Sequence, residues 1–181
     1  MLFLVVGPSG AGKDTLLGLA RAALANDAGV RFAQRVITRP ADVGDEGHEA
    51  VDRTEFARRH DGGGFALSWE AHGLLYGIPI DIEDDLRAGR IVVASVSRTV
   101  LKHAVSRYSG RVLEVFAPPE ILAERLSMRG REGPEDIARR LLREMPLDPG
   151  LDMVRIVNDG KPETGAARMV AVLRLAPGPN A

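Results

Sequence analysis

The chain has 181 residues, of which 45% are hydrophobic and 27% charged, which is enough for one substantial core but short for two independent ones. Its formal net charge of -1 creates no overall field that would attract nucleic acid or a membrane surface, so we expect neither as a partner. The absence of cysteine excludes disulfides, thiolate metal sites and cysteine nucleophiles, and it fits a reducing compartment, so a cytoplasmic location is expected.

Apolar runs of strand length alternate with segments of helical period, which predicts an α/β fold with a parallel sheet flanked by helices. Five strands are expected, at residues 2–6, 32–37, 91–96, 112–116 and 153–157. Helices are expected at residues 13–26, 98–107, 119–129, 134–145 and 162–174, and the last three begin at prolines, which a first helical turn tolerates.

Two segments interrupt this alternation within a single predicted domain. Residues 39–88 are polar and glycine-rich, with one short helix that Asp52 and Glu55 can open as a capping box, and we interpret them as an inserted acceptor-binding region. Residues 126–148 are rich in arginine and are interpreted as a lid. The core then comprises residues 1–38, 89–125 and 149–175, and residues 176–181 form a flexible tail.

The segment between the first strand and the first helix carries the pattern Gly-x-x-x-x-Gly-Lys, which is specific because it must follow a buried strand and open a helix. Its residues are Gly7, Pro8, Ser9, Gly10, Ala11, Gly12, Lys13, Asp14 and Thr15. The glycines let successive N–H groups turn inward around an anion, and the Lys13 ammonium can reach the β- and γ-phosphates of a nucleotide. This P-loop predicts ATP as phosphoryl donor and a small-molecule kinase.

The expected metal is Mg²⁺, with Asp14 and Thr15 as its protein ligands. The position after Lys13 normally holds Ser or Thr, but here Asp14 occupies it and a hydroxyl follows only at Thr15. Asp14 can hold the metal through a water, leave ligation to Thr15, or favour the helix N-terminus electrostatically. The strand 91–96 lacks the usual second carboxylate; Glu114 is a possible substitute, although a surface-facing position is the preferred interpretation.

Further motifs follow the P-loop along nearly the whole chain: Thr38-Arg39-Pro40, Glu46-Gly47, Phe56, Gly64-Phe65, Tyr76-Gly77 and Val157-Asn158-Asp159. In order and rough spacing these motifs resemble those of guanylate kinases. The resemblance implies a P-loop core, an acceptor-binding insertion and a lid, and it implies that Arg39 and Tyr76 grip the acceptor phosphate. The loop at Asn158 is the expected contact to the nucleotide base.

The departures from guanylate kinases concern the acceptor pocket. Asp42 stands about where a second arginine is usual, and Ala50 replaces a phosphate-binding tyrosine. Ser68 takes the place of the guanine-reading glutamate, and Ile78 replaces the serine after Tyr-Gly. Because loss of such polar partners costs orders of magnitude in discrimination, the acceptor is expected to be a phosphorylated molecule without a purine.

The combination G-P-S-G-A-G-K-D-T, V-I-T-R-P, G-H-E-A-V and F-A-L-S-W-E-A-H-G-L-x-Y-G-I-P is similar to the ribose 1,5-bisphosphate phosphokinases of phosphonate catabolism. This resemblance implies transfer of the ATP γ-phosphoryl group to the 1-phosphate of ribose 1,5-bisphosphate, giving 5-phospho-α-D-ribose 1-diphosphate (PRPP). Small-molecule substrates and a monomer or homodimer are expected. Two alternatives stay open: a guanylate or other nucleoside-monophosphate kinase, and a non-catalytic guanylate-kinase-like binding module.

The expected site residues fall into three sets. The catalytic set is Lys13, Arg39, Arg129, Arg131 and Arg139, in which the lid arginines neutralise charge in the transition state. The nucleotide set is the P-loop with Arg125 and Asn158, and the acceptor set is Arg39, Ser68, His72, Tyr76 and Ser95. Phe65 and Trp69 are expected to pack the small core of the insertion, and Ser68 is the preferred specificity residue.

Overall fold

Two β-sheets organise the chain, one of five strands and one of four. The computed structural model of the protein describes residues 1–39, 47–128 and 147–176. The strands of the larger sheet are β1 (Leu2–Val6), β2 (Val30–Phe32), β7 (Ile91–Ser95), β8 (Arg111–Phe116) and β9 (Met153–Val157). Their order is β2-β7-β1-β8-β9 and every pairing is parallel, which confirms the predicted α/β fold with a parallel five-stranded sheet.

The helices of the described residues flank this sheet and support the insertion. They are α1 (Lys13–Ala23), α2 (Arg53–Asp61), α3 (Ile82–Arg87), α4 (Leu101–Tyr108), α5 (Pro119–Met128) and α6 (Pro162–Arg174), and a 3₁₀ turn at Arg98–Val100 leads into α4. The predicted starts at Pro119 and Pro162 are confirmed. The helix predicted at 134–145 lies outside the described residues. Among the helices that the structure describes, none has the length and apolar character needed to cross a bilayer.

The smaller sheet belongs to the insertion and was not predicted. Its strands are β3 (Arg35–Ile37), β4 (His48–Ala50), β5 (Phe65–Ala71) and β6 (Leu74–Pro79), in the order β4-β3-β6-β5. Strands β3 and β4 are parallel, whereas β6 is antiparallel to both β3 and β5. The predicted helix is present as α2, and the Asp52 carboxylate caps it by accepting a hydrogen bond of 2.7 Å from the Glu55 amide.

The single strand predicted at 32–37 is wrong, because the segment forms two strands in two sheets. Strand β2 ends at Phe32 beside β7, and β3 begins at Arg35 beside β4 and β6. The Ala33 amide still donates a hydrogen bond to the Val93 carbonyl of β7 (2.9 Å), so the chain leaves the larger sheet only after Ala33. Apolar residues of the segment lie on both sides of this point, and the sequence therefore does not indicate the change of sheet. The insertion sheet therefore begins before residue 39.

The two faces of the larger sheet bury separate apolar clusters. One face packs Phe3 and Val5 against α1 and α6, while the other packs Leu4 and Val6 against α4 and against side chains of β5 and β6. The second cluster includes Leu67 and Ile78 from the insertion, which are 2% and 0% exposed. This apolar contact fixes the insertion sheet beside the carboxyl end of β1, where the P-loop begins.

Glu114 of β8 is buried, contrary to the surface-facing position that the sequence favoured. Its carboxylate is 5% exposed and accepts hydrogen bonds from Arg98 (3.2 Å) and from Arg155 (2.7 Å). Strand alternation directs it to the face covered by the 3₁₀ turn, and the two guanidinium groups offset the cost of burying its charge. Both carboxylate oxygens serve these ion pairs, so Glu114 does not have the geometry of a substitute metal-holding acid.

Candidate active site

The loop between β1 and α1 has the conformation that an anion-binding loop requires. Gly10 (φ 89°) and Gly12 (φ 87°) adopt left-handed backbone conformations that residues with a side chain rarely adopt. A Cβ atom on Gly7 would collide with the Val115 carbonyl of β8, so only glycine fits there. Gly12 is the N-cap of α1, which places the positive end of that helix at the loop.

The Lys13 ammonium lies against the loop itself. Its Nζ donates hydrogen bonds to the carbonyl oxygens of Gly7 (2.7 Å) and Pro8 (2.9 Å). The positive charge is therefore held on the same short segment as the inward-turning amides. This is the arrangement in which a lysine and backbone N–H groups can share the oxygens of one polyphosphate.

The side chain of Asn158 supports the P-loop. Its side chain is 2% exposed, and Nδ2 donates a hydrogen bond of 2.7 Å to the Ala11 carbonyl. Its backbone amide bonds to Phe116 of β8 (2.8 Å). The side chain therefore positions the P-loop, and the predicted contact of the loop at Asn158 with the nucleotide base stays a prediction.

Helix α5 closes the other side of the P-loop. A Cβ atom on Gly10 would meet the side chains of Leu122 and Leu126, so α5, which also carries Arg125, packs beside the loop. One terminal nitrogen of the Arg125 guanidinium is buried and has no hydrogen-bond partner within the described part of the chain. The contact of Arg125 with the nucleotide stays a prediction, and this unsatisfied cationic donor favours it.

Asp14 and Thr15 lie in the first turn of α1, and both are exposed. The Asp14 carboxylate, 77% exposed, pairs with the Arg35 guanidinium of β3 at 3.2 Å. Sequence reasoning missed Arg35, although strand alternation from Arg39 would have put both arginines on one face. The Asp14–Arg35 pair joins the phosphate-binding helix directly to the insertion sheet.

The insertion sheet directs one of its faces toward the core, and we call it the inner face. Register pairs define it: Arg35 lies opposite His48, and Ile37 opposite Tyr76. Tyr76 in turn lies opposite Trp69, which packs with the core cluster around Val96 and Val100. The residues of the inner face are Arg35, Ile37, His48, Ala50, Leu67, Trp69, Tyr76 and Ile78.

Arg39 reaches the inner face from the end of β3. The neighbouring Thr38 is fixed to β6, because its amide donates to the Leu75 carbonyl (3.0 Å) and its hydroxyl accepts from the Leu75 amide (2.9 Å). The Arg39 Nε then donates to Nε2 of His48 at 3.1 Å. Arg39 and Tyr76, the two predicted acceptor-phosphate residues, therefore belong to the same face of one sheet.

Ser68 and Trp69 lie on opposite faces of the insertion sheet. Ser68 pairs with Gly77 and points to the outer face, where Phe65 covers Gly77 and stacks on Phe56 of α2. Trp69 instead stacks on Tyr76, with ring centroids 5.4 Å apart and an interplanar angle of 4°. Alternation turns Ser68 away from Tyr76, so the structure does not bring these two predicted acceptor residues together, and the role of Ser68 in specificity stays a prediction.

His72 and Ser95 occupy contrasting surroundings. His72 (φ 53°) and Gly73 (φ 73°) form the exposed turn between β5 and β6, so the predicted contact of His72 with a substrate stays a prediction. Ser95 ends β7 beside Val5, is 6% exposed, and its hydroxyl has no hydrogen-bond partner among the described residues. The three lid residues of the catalytic set, Arg129, Arg131 and Arg139, lie outside the described residues.

The described residues contain no group of three or more His, Asp or Glu side chains that would hold a metal by themselves. Mg²⁺ commonly takes only one or two protein oxygens and completes its octahedron with phosphates and waters. Asp14 and Thr15 offer such oxygens at the exposed first turn of α1, directly after Lys13. The residues present therefore fit a metal that binds together with a nucleotide.

Comparison with known proteins agrees with this geometry. The chain is 49% identical over 176 residues to the ribose 1,5-bisphosphate phosphokinase PhnN of Methylobacterium radiotolerans, covering 96% of this chain and 97% of that protein. It is 46% identical over 175 residues to a bifunctional ribose 1,5-bisphosphokinase-thymidine phosphorylase of Azorhizobium caulinodans, of whose length it spans 25%. No family model matches the chain.

A solved structure supplies the fold relationship. The guanylate kinase of Anaplasma phagocytophilum superposes with a TM-score of 0.68 at 24% identity, over 96% of this chain and 84% of that one. Identity at this level shows a common fold only, whereas the identity to the PhnN proteins extends over nearly the full length of both chains. The chain belongs to the family of ribose 1,5-bisphosphate phosphokinases, built on a guanylate-kinase-like P-loop fold.

Proposed function

We propose that the chain transfers the γ-phosphoryl group of ATP to the 1-phosphate of ribose 1,5-bisphosphate, releasing ADP and PRPP. The observation that carries this proposal is the pairing of a P-loop with an inner face that holds Arg39, His48, Trp69 and Tyr76 beside it. The choice of ribose 1,5-bisphosphate as the acceptor is supported by the names of the relatives, which are ribose 1,5-bisphosphate kinases. PRPP supply during phosphonate breakdown is the proposed physiological role, and the proposed location is the cytoplasm, with a monomer or homodimer as the active form.

The reaction needs charge neutralisation more than proton transfer. An ionised oxygen of the 1-phosphate attacks the γ-phosphorus, the bond from that phosphorus to the β,γ-bridging oxygen breaks, and ADP leaves with the electron pair. No proton has to move, because a phosphate oxygen is already anionic at neutral pH. The chain's task is to bring two polyanions into line and stabilise the equatorial oxygens between them.

On the donor side, Lys13 neutralises the β- and γ-phosphates while the P-loop amides bind their oxygens. Asn158 holds Ala11, and thereby the loop, in the required shape. The buried guanidinium nitrogen of Arg125 provides a further donor for the nucleotide. The lid residues Arg129, Arg131 and Arg139 complete the proposed set by stabilising charge in the transition state.

On the acceptor side, Arg39 and Tyr76 bind the phosphate that becomes phosphorylated. Trp69, stacked on Tyr76, presents an aromatic wall on the same face, where it limits the space and offers an apolar surface to the ribose ring. The Ser95 hydroxyl is buried without a partner among the residues that the structure describes, and a phosphate oxygen would satisfy it. His72, at the tip of the β5–β6 hairpin, is the proposed contact nearest to solvent.

Mg²⁺ is the proposed cofactor, held by Asp14 and Thr15 together with the nucleotide phosphates. When bound, it draws charge from the β- and γ-phosphate oxygens during transfer. Thr15 supplies a hydroxyl and Asp14 a carboxylate at the first turn of α1. These are oxygen donors, which this hard cation prefers.

A panel of phosphorylated acceptors tests the proposal. The protein is incubated with Mg-ATP and, in separate reactions, ribose 1,5-bisphosphate, ribose 5-phosphate, GMP and AMP, with ADP release measured enzymatically and PRPP identified by phosphorus NMR. PRPP formation from ribose 1,5-bisphosphate, at a kcat/KM far above that for GMP, is expected. Faster turnover of GMP would establish a nucleoside-monophosphate kinase instead, and an absence of ATP binding would establish a binding module.

A further inference from the structure

The ion pair between Asp14 and Arg35 spans the gap between donor and acceptor sides. Asp14 directly follows Lys13 in the first turn of α1, and Arg35 begins the first strand of the insertion sheet. The guanidinium nitrogen lies 3.2 Å from the carboxylate oxygen, and the Arg35 side chain is 21% exposed. Asp14 from the ATP side of the proposed site and Arg35 from the acceptor side are thus in contact. ATP and the acceptor must approach each other between these two sides.

The inner face lacks two phosphate-binding groups that its family resemblance leads one to expect. A second arginine is usual near Asp42, and a tyrosine near Ala50. Arg39 and Tyr76 alone would leave much of the charge of a phosphate acceptor unneutralised. Arg35 provides a guanidinium on this face, from a position four residues before Arg39 and in register with His48.

The contacts around His48 place the two arginines close to the same spot. Arg39 reaches back from the end of β3 to donate to the His48 ring, and Arg35 lies directly across from His48 in the β3–β4 pairing. Both guanidinium groups therefore belong to the same part of the inner face. Arg39 approaches it from the β6 side, and Arg35 from the P-loop side.

We propose that Arg35 is a second acceptor-phosphate ligand and that Asp14 is the residue that positions it. The inference rests on the proposed function, since it names a ligand of the same acceptor. Arginine suits this task because its planar fork can hold a carboxylate with one edge and phosphate oxygens with another. The carboxylate of Asp14 fixes the fork in place, which a serine or threonine hydroxyl at that position would do less strongly.

This assignment explains why an aspartate follows the P-loop lysine. A metal role alone would be served by the usual hydroxyl, whereas a hydroxyl cannot form an ion pair with Arg35. The two roles are compatible, because a carboxylate has two oxygens and Arg35 engages Oδ1. They make different predictions for the acceptor, so a double-mutant cycle separates them.

The test uses Arg35→Lys, Arg35→Ala, Asp14→Asn and the double variant Asp14→Asn/Arg35→Ala. For Arg35→Ala, an acceptor KM raised at least about tenfold is expected, with the KM for ATP changed by less than about twofold. Arg35→Lys keeps the charge but loses the fork, so it recovers only part of this loss. Asp14→Asn raises the acceptor KM in the same direction, and the double variant is no worse than Arg35→Ala alone.

A matched control is the exposed pair Arg111–Asp152, at 2.9 Å, which lies at the amino-terminal ends of β8 and β9. Asp152→Asn leaves both KM values unchanged, since that sheet edge is opposite to the P-loop. Acceptor binding is also measured without turnover, from the fluorescence of Trp69, the single tryptophan of the chain. Circular dichroism melts verify that every variant is folded before its kinetics are compared.

Three outcomes overturn the inference. An unchanged acceptor KM and acceptor Kd in both Arg35→Lys and Arg35→Ala removes Arg35 from the acceptor site. Full additivity of the two substitutions removes the positioning role of Asp14. A weakened Mn²⁺ affinity of the ATP complex in Asp14→Asn, measured by electron paramagnetic resonance with acceptor binding intact, leaves Asp14 with a metal role only. A wild-type protein that fails to convert ribose 1,5-bisphosphate at all refutes the proposed function instead.

Discussion

Trp69 and Tyr76 face each other across the β5–β6 hairpin, with nearly parallel rings whose centroids are 5.4 Å apart. Their alignment is set by the two-residue turn at His72 and Gly73, both in left-handed conformations, which fixes the register of the hairpin. Because Tyr76 is the expected phosphate-binding tyrosine, the stack brings a large aromatic surface to the acceptor. We therefore expect Trp69, one position after the serine that the sequence suggested, to determine specificity in this pocket.

Substitutions of Trp69 and Ser68 test which face of β5 contacts the acceptor. Trp69→Ala removes the aromatic wall, so the KM for ribose 1,5-bisphosphate is expected to rise by about tenfold or more, with the KM for ATP little changed. Ser68→Ala, on the outer face, leaves both constants within about twofold of wild type. Steady-state kinetics with varied acceptor check both; a larger effect at Ser68 would support the serine as the specificity residue.

The lysine of the P-loop gives a second prediction. Lys13→Ala removes the charge from the β- and γ-phosphates, and kcat is expected to fall by about 10²-fold or more. The fold is expected to persist, because the Lys13 ammonium bonds carbonyl oxygens of the loop and belongs to neither apolar cluster. Lys102→Ala, on the exposed surface of α4, is the control with unchanged turnover. A normal rate in Lys13→Ala would refute the P-loop assignment.

Local signals in the sequence predicted much of this architecture. The P-loop, the prolines that begin α5 and α6 and the Asp52 cap of α2 each depend on a few neighbouring residues, and each is in place. Strands β3 and β4 of the insertion sheet were missed because they have only three residues each, and β4 is polar. Strands this short show no period, so only their pairing partners identify them.

The residues whose surroundings the sequence did not indicate are those that make distant contacts. Asn158 meets Ala11 across 147 residues of sequence, and no local pattern indicates that it lies beneath the P-loop. Glu114 is buried only because Arg98 and Arg155 approach it from other elements. The face on which Ser68 lies depends on a turn several residues away, so its spacing to the motif alone does not indicate that face.

The contact between Asn158 and Ala11 makes a third prediction, about stability. Asn158→Ala leaves the Ala11 carbonyl buried without its donor, which is expected to cost about 1–3 kcal/mol of unfolding free energy. The P-loop also loses its support, so the KM for ATP rises while the KM for the acceptor changes less. Urea unfolding measures the first effect, and Asn26→Ala, at an exposed position after α1, is the control. Unchanged stability would show that the loop holds its shape without this bond.

A hydrogen-bond cluster between α3 and α4 makes the last prediction, about pH. The Tyr108 hydroxyl donates to the Glu83 carboxylate at 2.7 Å, and Arg107 donates to the same oxygen at 2.8 Å. The bond from Tyr108, followed by the charge of Arg107, lowers the pKa of Glu83 below its ordinary value. Burial, together with the bond to Glu83, raises the pKa of the Tyr108 hydroxyl above its ordinary value.

The sign of each effect follows from which protonation state the fold prefers. A lowered Glu83 pKa stabilises the fold at pH above the ordinary glutamate range, and this contribution disappears as pH falls through the folded-state pKa. A raised Tyr108 pKa stabilises the fold below the ordinary tyrosine pKa, about 10, and the contribution is lost as pH rises beyond it. Glu83→Gln should therefore lower the melting temperature at pH 7, and the difference from wild type should shrink as pH falls below the ordinary glutamate range. Tyr108→Phe should make the decline in stability above about pH 10 less steep.

Thermal melts across this pH range, with the exposed Glu70→Gln as control, check the acid and the alkaline prediction. A Glu83→Gln difference that is constant with pH would show that packing, and not the charge of Glu83, is what the substitution disturbs.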